Sequence, residues 1–151
     1  MSWSAFQTFT DLDAFHAAFR DMRAESVITG RGDCRADLAT IQLDRVLLRD
    51  ARETLPRTVY SAVDPRQFAI GFINDPRQQL YVNGLNWCRV RSSCSARHPR
   101  RTIVSFQLRW STVTLPHEDV AAAGRTLIGH ELVAPPHTHL INRRLLSCRS
   151  C

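Results

Sequence analysis

Between Gly32 and Gly84 apolar and polar positions alternate in short runs divided by turn residues, with little that would sustain a helix. Ala36 and Leu38 oppose Arg35 and Asp37, the two-residue period of a half-buried strand. The phase reverses near Ala39 and Thr40, where Ile41 and Leu43 take over the apolar side, and this predicts a β-bulge or a strand bending between two sheets. Val46 to Leu48, Thr58 to Tyr60 and the apolar run Phe68 to Ile73 read as further strands, the last bounded by Asp64-Pro65 and Asn74-Asp75-Pro76. Leu80 to Val82 ends at Asn83-Gly84, the signature of a type I′ hairpin turn. Strand character returns at Thr102 to Phe106 and Leu108 to Val113, so the pattern predicts a mainly β, antiparallel sandwich or barrel.

Two short helices flank these strands. Thr10 as N-cap and Asp13 three residues on suit a capping box, and Leu12, Phe15, Phe19 and Met22 then recur on one face, predicting a helix over about 11–24. His16 lies off that stripe and reads as a solvated residue, and Val27 to Thr29 as a short strand. The second helix is expected over about 116–128, with Pro116 at its first position, Glu118 and Asp119 at the positive end of the dipole and Gly129 past its end. Its expected buried stripe is Val120, Ala123, Leu127 and Ile128.

At 151 residues, 44% hydrophobic and 23% charged, the chain has the size and composition of one ordinary domain. No apolar run reaches membrane-spanning length and no secretory signal opens the chain, which points to the cytoplasm and away from a membrane. All 20 basic residues are arginine, so GC-rich coding explains the net charge of +6 at least as well as nucleic-acid binding. The five cysteines, Cys34, Cys88, Cys94, Cys148 and Cys151, make neither a disulfide framework nor the two compact pairs of a zinc ribbon. There is no nucleophile elbow and no phosphate-binding glycine loop, and nothing argues for an enzyme or a cofactor.

Two sets of side chains have a chemical reading. Arg31, Arg35, Arg45 and Arg57 fall around strand ends, where they would line a mouth and hold an anionic ligand through paired N–H groups, or else sit on the outer face. His137 and His139 are spaced to present two imidazoles to a metal from one strand face, but they follow two prolines and lack the partner ligands such a site needs, so the expectation is no metal. Residues 137–151 carry no pattern that predicts order.

Several of these stretches resemble the N-terminal half of AraC-type bacterial transcription regulators: FTDLDAF at Phe9 to Phe15, VITGRG at Val27 to Gly32, FAIGF at Phe68 to Phe72, YVNG at Tyr81 to Gly84, and LPHEDVAAAGRTLIG at Leu115 to Gly129. The resemblance covers residues 1–84 and about 104–136. It implies a cupin-like sensory domain over 1–136 that binds a small-molecule effector and forms a homodimer, with DNA contacted only through a C-terminal helix-turn-helix domain absent from this chain. A free-standing small-molecule-binding cupin is the alternative, and a cupin enzyme using a metal at His137 and His139 is a third reading.

Residues 87–103 depart from the family, which would place an apolar strand between two Pro-Gly-type turns there. The segment is rich in Arg, Ser and Cys, with five arginines between Arg89 and Arg101. Back-translated through freely chosen GC-rich codons and shifted in frame, 87–103 and 140–151 can yield valine runs and proline turns, and the expectation is that the gene carries frameshifts there. Because its arginines cannot be buried unpaired, Trp87 to Arg101 is expected as a loop or a weakly packed edge. That would leave the shell open and invite dimerisation.

Overall fold

The computed structural model describes residues 1–75, 78, 80–86, 92–95, 100–104, 107–133, 135 and 139–141. Two antiparallel sheets face each other. The first is seven-stranded, built from β1 (Ser2–Phe9), β3 (Ala36–Leu43), β4 (Val46–Glu53), β6 (Gln67–Ile73), β9 (Ser92–Ser95), β11 (Leu108–Pro116) and β12 (His139–Ile141), in the order β1-β3-β4-β11-β6-β9-β12. The second has five strands, β2 (Met22–Ile28), β5 (Arg57–Val63), β7 (Leu80–Val82), β8 (Leu85–Asn86) and β10 (Arg100–Val104), in the order β2-β5-β10-β7-β8. The sheets do not close on each other. Of the expected sandwich or barrel the chain forms the sandwich-like arrangement.

Strand polarity explains the layering. In β4, Arg49, Ala51 and Glu53 alternate on the buried side, and Trp110 of β11 lies opposite Ala51. The core between the sheets is aromatic: Phe9 and Phe15 meet edge to face at 5.6 Å, Phe15 and Phe19 at 5.0 Å, and Phe19 stacks on Trp110 at 5.8 Å. A second apolar cluster joins Leu80, Val82 and Leu108. The Asn83-Gly84 turn forms as its sequence predicts: both residues have positive φ (50° and 80°), and Val82 pairs with Leu85 across it.

The expected phase reversal in β3 does not occur. Its ladder to β4 runs unbroken from Ala36–Glu53 to Leu43–Val46, so Thr40 stays inside and Ile41 and Leu43 face outward. Their apolar company lies on that outer face, where Ile41, Leu48, Val113 and Ile70 are successive cross-strand neighbours. Strand β1, which has no clean two-residue period, pairs along its full length with β3.

Both helices differ from expectation in register. Asp11, not Thr10, is the N-cap of α1 (Leu12–Ala17), accepting a hydrogen bond from the Ala14 N–H at 2.9 Å. The helix stops at Ala17 rather than near residue 24, because from Met22 onward the backbone pairs residue for residue with β5. Phe19 and Met22 still reach the interior, one from a turn and one from a strand, so the apolar spacing was satisfied without a continuous helix. Helix α2 (His117–Ile128) has Pro116 as N-cap and Gly129 left-handed at its end. Its expected stripe is not buried: Leu127 is 79% exposed and Ile128 53%, and Gly124 is the buried residue of the helix.

The Arg- and Ser-rich segment is also corrected where it is described. Ser92–Ser95 pairs with β6 and β12 and is strand, not loop, while Arg100 and Arg101 open the strand expected from Thr102, which lies between β5 and β7. Within the tail, His139–Ile141 is strand, while 142–151 lies outside the described residues.

Candidate functional site: a cavity between the sheets

A cavity of about 80 Å³ opens between the two sheets. Phe15, Phe19 and Met22 wall it from α1 and the chain that follows, Trp110 and Thr112 from one sheet, and Ser61 and Thr102 from the other. At about 10–15 Å³ per water-sized sphere this space holds roughly half a dozen waters or a ligand of similar size.

Its polar centre is an ion pair between Glu53, the last residue of β4, and Arg57, the first of β5. Both side chains are almost wholly buried. Such a pair survives in a low-dielectric interior only when further hydrogen bonds support each charge. Trp110 Nε1 donates to Glu53 Oε1 at 2.6 Å, and Arg57 Nη1 donates to the Leu55 carbonyl at 3.2 Å. The Arg57 Nε–H is buried with no acceptor among the described residues. A buried donor without a partner costs about 1–3 kcal/mol, and this one belongs to a residue lining an open space.

Beside the pair stands His16, whose Nε2 is 3.1 Å from Ser26 Oγ. It is half-buried rather than solvated as its sequence position suggests, since β2 packs beside α1. Burial lowers its pKa below the ordinary 6.5, the Arg57 charge adds to that, and Glu53 partly opposes it. The imidazole is therefore neutral at pH 7. Arg49 stacks over Phe19 at 4.8 Å and donates to Asp21 Oδ2 at 2.8 Å. Phe19 thus contacts both a guanidinium and the Trp110 ring.

The four arginines singled out from sequence are not brought together. Arg57 lines the cavity. Arg31 is exposed in the loop between β2 and β3. Arg35 pairs with Asp37 at 3.2 Å in a shallow surface recess shared with Arg52 and Thr54. Arg45, in the β3–β4 turn, clamps Glu118 and Asp119 at the start of α2, the latter at 3.1 Å. His137 lies outside the described residues, and of His139 only the backbone, in β12, is described. Among the described residues no group of three or more His, Cys, Asp or Glu side chains is placed to hold a metal. Glu53 and Trp110 escaped the sequence reading, and His16 was assigned there to solvent. The buried alternation Arg49-Ala51-Glu53 was the available signal, hidden among the alternating charges Arg49, Asp50 and Arg52.

No protein-family model and no curated protein matches the chain. Among solved structures the chain is similar to the AraC-like transcriptional activator CuxR, with a TM-score of 0.53 and 11% identity over 82% of this chain. The chain spans 50% of that protein's length. At this identity the likeness is one of fold. No helix among the described residues is long and apolar enough to cross a membrane.

Proposed function

We propose that this chain is the effector-binding domain of an AraC-type transcription regulator, with the inter-sheet cavity as the effector's seat and DNA contacted through a separate helix-turn-helix domain. The fold likeness to an AraC-like activator supports the regulatory setting. The observation that carries the reading is the Arg57 Nε–H, buried at the cavity wall and short of an acceptor. A ligand oxygen supplies that acceptor, and the walls of Phe15, Phe19 and Trp110 supply apolar contact. The effector is accordingly a small, flat molecule with one carbonyl or carboxylate oxygen. Glu53 already satisfies most of the Arg57 charge, so a multiply charged anion is disfavoured.

A thermal-shift screen of sugars, organic acids and aromatic carbonyl compounds tests this, followed by calorimetry on the hits. At a hundredfold excess over Kd the ligand adds about 2.7 kcal/mol of stability, or about 5–10 °C in midpoint for a chain of this size. The double variant Glu53→Gln/Arg57→Gln removes both charges together, which leaves no lone buried ion, and it abolishes binding. Hits that bind this variant as tightly as the wild type, or a screen in which no small molecule binds, would refute the assignment.

A further inference from the structure

Among the described residues the two sheets have four edges, and three of them are guarded or short. Strands β8 and β12 are two and three residues long, and β2 presents the charges of Arg23 and Glu25. The fourth edge, β1, is eight residues long, SWSAFQTF, and contains no charge and no proline. Its described pairing is with β3 alone, and among the described residues no strand pairs with its other side. Natural sheets rarely leave a long uncharged edge unprotected, because such an edge templates pairing with another strand.

The sequence of this edge also matches itself. About Phe6, the residues one step away are Ala5 and Gln7. The hydroxyls Ser4 and Thr8 come next, and the aromatics Trp3 and Phe9 last. Run antiparallel against a second copy with Phe6 opposite Phe6, aromatic meets aromatic at Phe6–Phe6 and Trp3–Phe9, hydroxyl meets hydroxyl at Ser4–Thr8, and the small Ala5 leaves room for Gln7. The register preserves faces: Phe6, Ser4 and Thr8 all point outward, while Trp3 and Phe9 share the inner side. It also gives partners to two large exposed side chains, Phe6 at 70% and Trp3 at 50% exposure. The Thr8 hydroxyl donates to Asp37 Oδ1 at 2.7 Å and keeps its lone pairs for a partner's serine.

We propose that β1 pairs antiparallel with β1 of a second copy of this chain, centred on Phe6, and joins two seven-stranded sheets into one across a two-fold axis. Aromatic and hydroxyl cross-strand pairs are the stabilising units of such a junction, and an isologous contact of this kind closes on itself as a dimer. This inference does not depend on the cavity or its effector.

Charge exchange at the centre tests it. Phe6→Glu sets two carboxylates opposite each other, and Phe6→Lys two ammonium groups. Each raises the dimer dissociation constant by about 30-fold or more in sedimentation equilibrium, as loss of a central aromatic contact does elsewhere. Mixing the two variants restores a one-to-one dimer. In the unaltered chain the β1 amides gain protection from hydrogen exchange as concentration rises through the dimerisation range, a reading that needs no variant to fold. The proposal is overturned by any of four results: a monomeric wild type up to submillimolar concentration, a dimer indifferent to both charges, a mixture that stays monomeric, or β1 amides whose exchange does not change with association.

Discussion

The two helices show opposite relations between pattern and burial. Helix α1 has six residues, yet Leu12 and Phe15 are buried, and with Phe19 just beyond its end they form one wall of the core. Helix α2 is twice as long and amphipathic in sequence, yet it lies outside the sheet with Leu127 and Ile128 in solvent. Among the described residues its anchors are few: Phe68 meets His117 at 6.0 Å, Arg45 holds Glu118 and Asp119, and Gly124 receives the chain returning at His130–Leu132. An apolar stripe states what a helix is able to bury. Which neighbour arrives is settled by the topology, and here the inter-sheet opening accepts the short helix alone.

Truncating each stripe breaks or confirms this contrast most sharply. Phe15→Ala removes a ring that touches Phe9 and Phe19 and opens a cavity in the core, at a cost of about 3–5 kcal/mol in denaturant unfolding. Leu127→Ala removes a side chain of similar hydrophobic weight from solvent and changes stability by no more than about 0.5 kcal/mol. Equal losses from the two would mean that α2 is docked on something the described residues do not include. Gly124→Ala comes next in size. On an open helix the change would gain up to about 1 kcal/mol, but here the new Cβ would lie 2.5 Å from Leu132 N and 2.7 Å from His130 O. The returning chain must shift, and a net loss of about 1–3 kcal/mol is expected. Asp11→Ala removes the side-chain cap of α1 and costs about 1 kcal/mol. Pro116, the N-cap of α2, makes no side-chain cap bond whose loss would parallel it.

The same contrast marks what could be read in the sequence. Strands with a clean two-residue period or turn-bounded apolar runs, such as β6 and β7, were legible, as was the Asn83-Gly84 turn, because local chemistry determines them. Strand β1 was not, since its aromatics at residues 3, 6 and 9 follow neither a strand nor a helix period. The end of α1 was hidden for a different reason: Phe19 and Met22 keep helical spacing while β5 claims the backbone from Met22 onward. For the site, sequence supplied Arg57 among four arginines but no ground for choosing it. That choice depends on register, which sets Leu108 opposite Glu53 and Trp110 opposite Ala51, and so brings the indole N–H to the carboxylate.

The smallest effect concerns His16, the polar residue of α1 beside the cavity, and it tests whether this helix is docked as tightly as the comparison requires. Its folded pKa lies below the unfolded value of 6.5, chiefly through burial and then through the Arg57 charge. Between those two values the unfolded chain binds more protons than the folded one, so stability rises with pH there. The contribution is complete above pH 6.5 and is lost as pH falls through the folded pKa. His16→Gln keeps a polar group within reach of Ser26 Oγ and cannot take up a proton, so this part of the pH dependence flattens in the variant while the unfolding midpoint above pH 7 moves little. A solvated His16 would titrate alike in both states, and the pH profiles of variant and wild type would then coincide. That result would mean α1 opens readily from the sheets, and the cavity it walls would open with it.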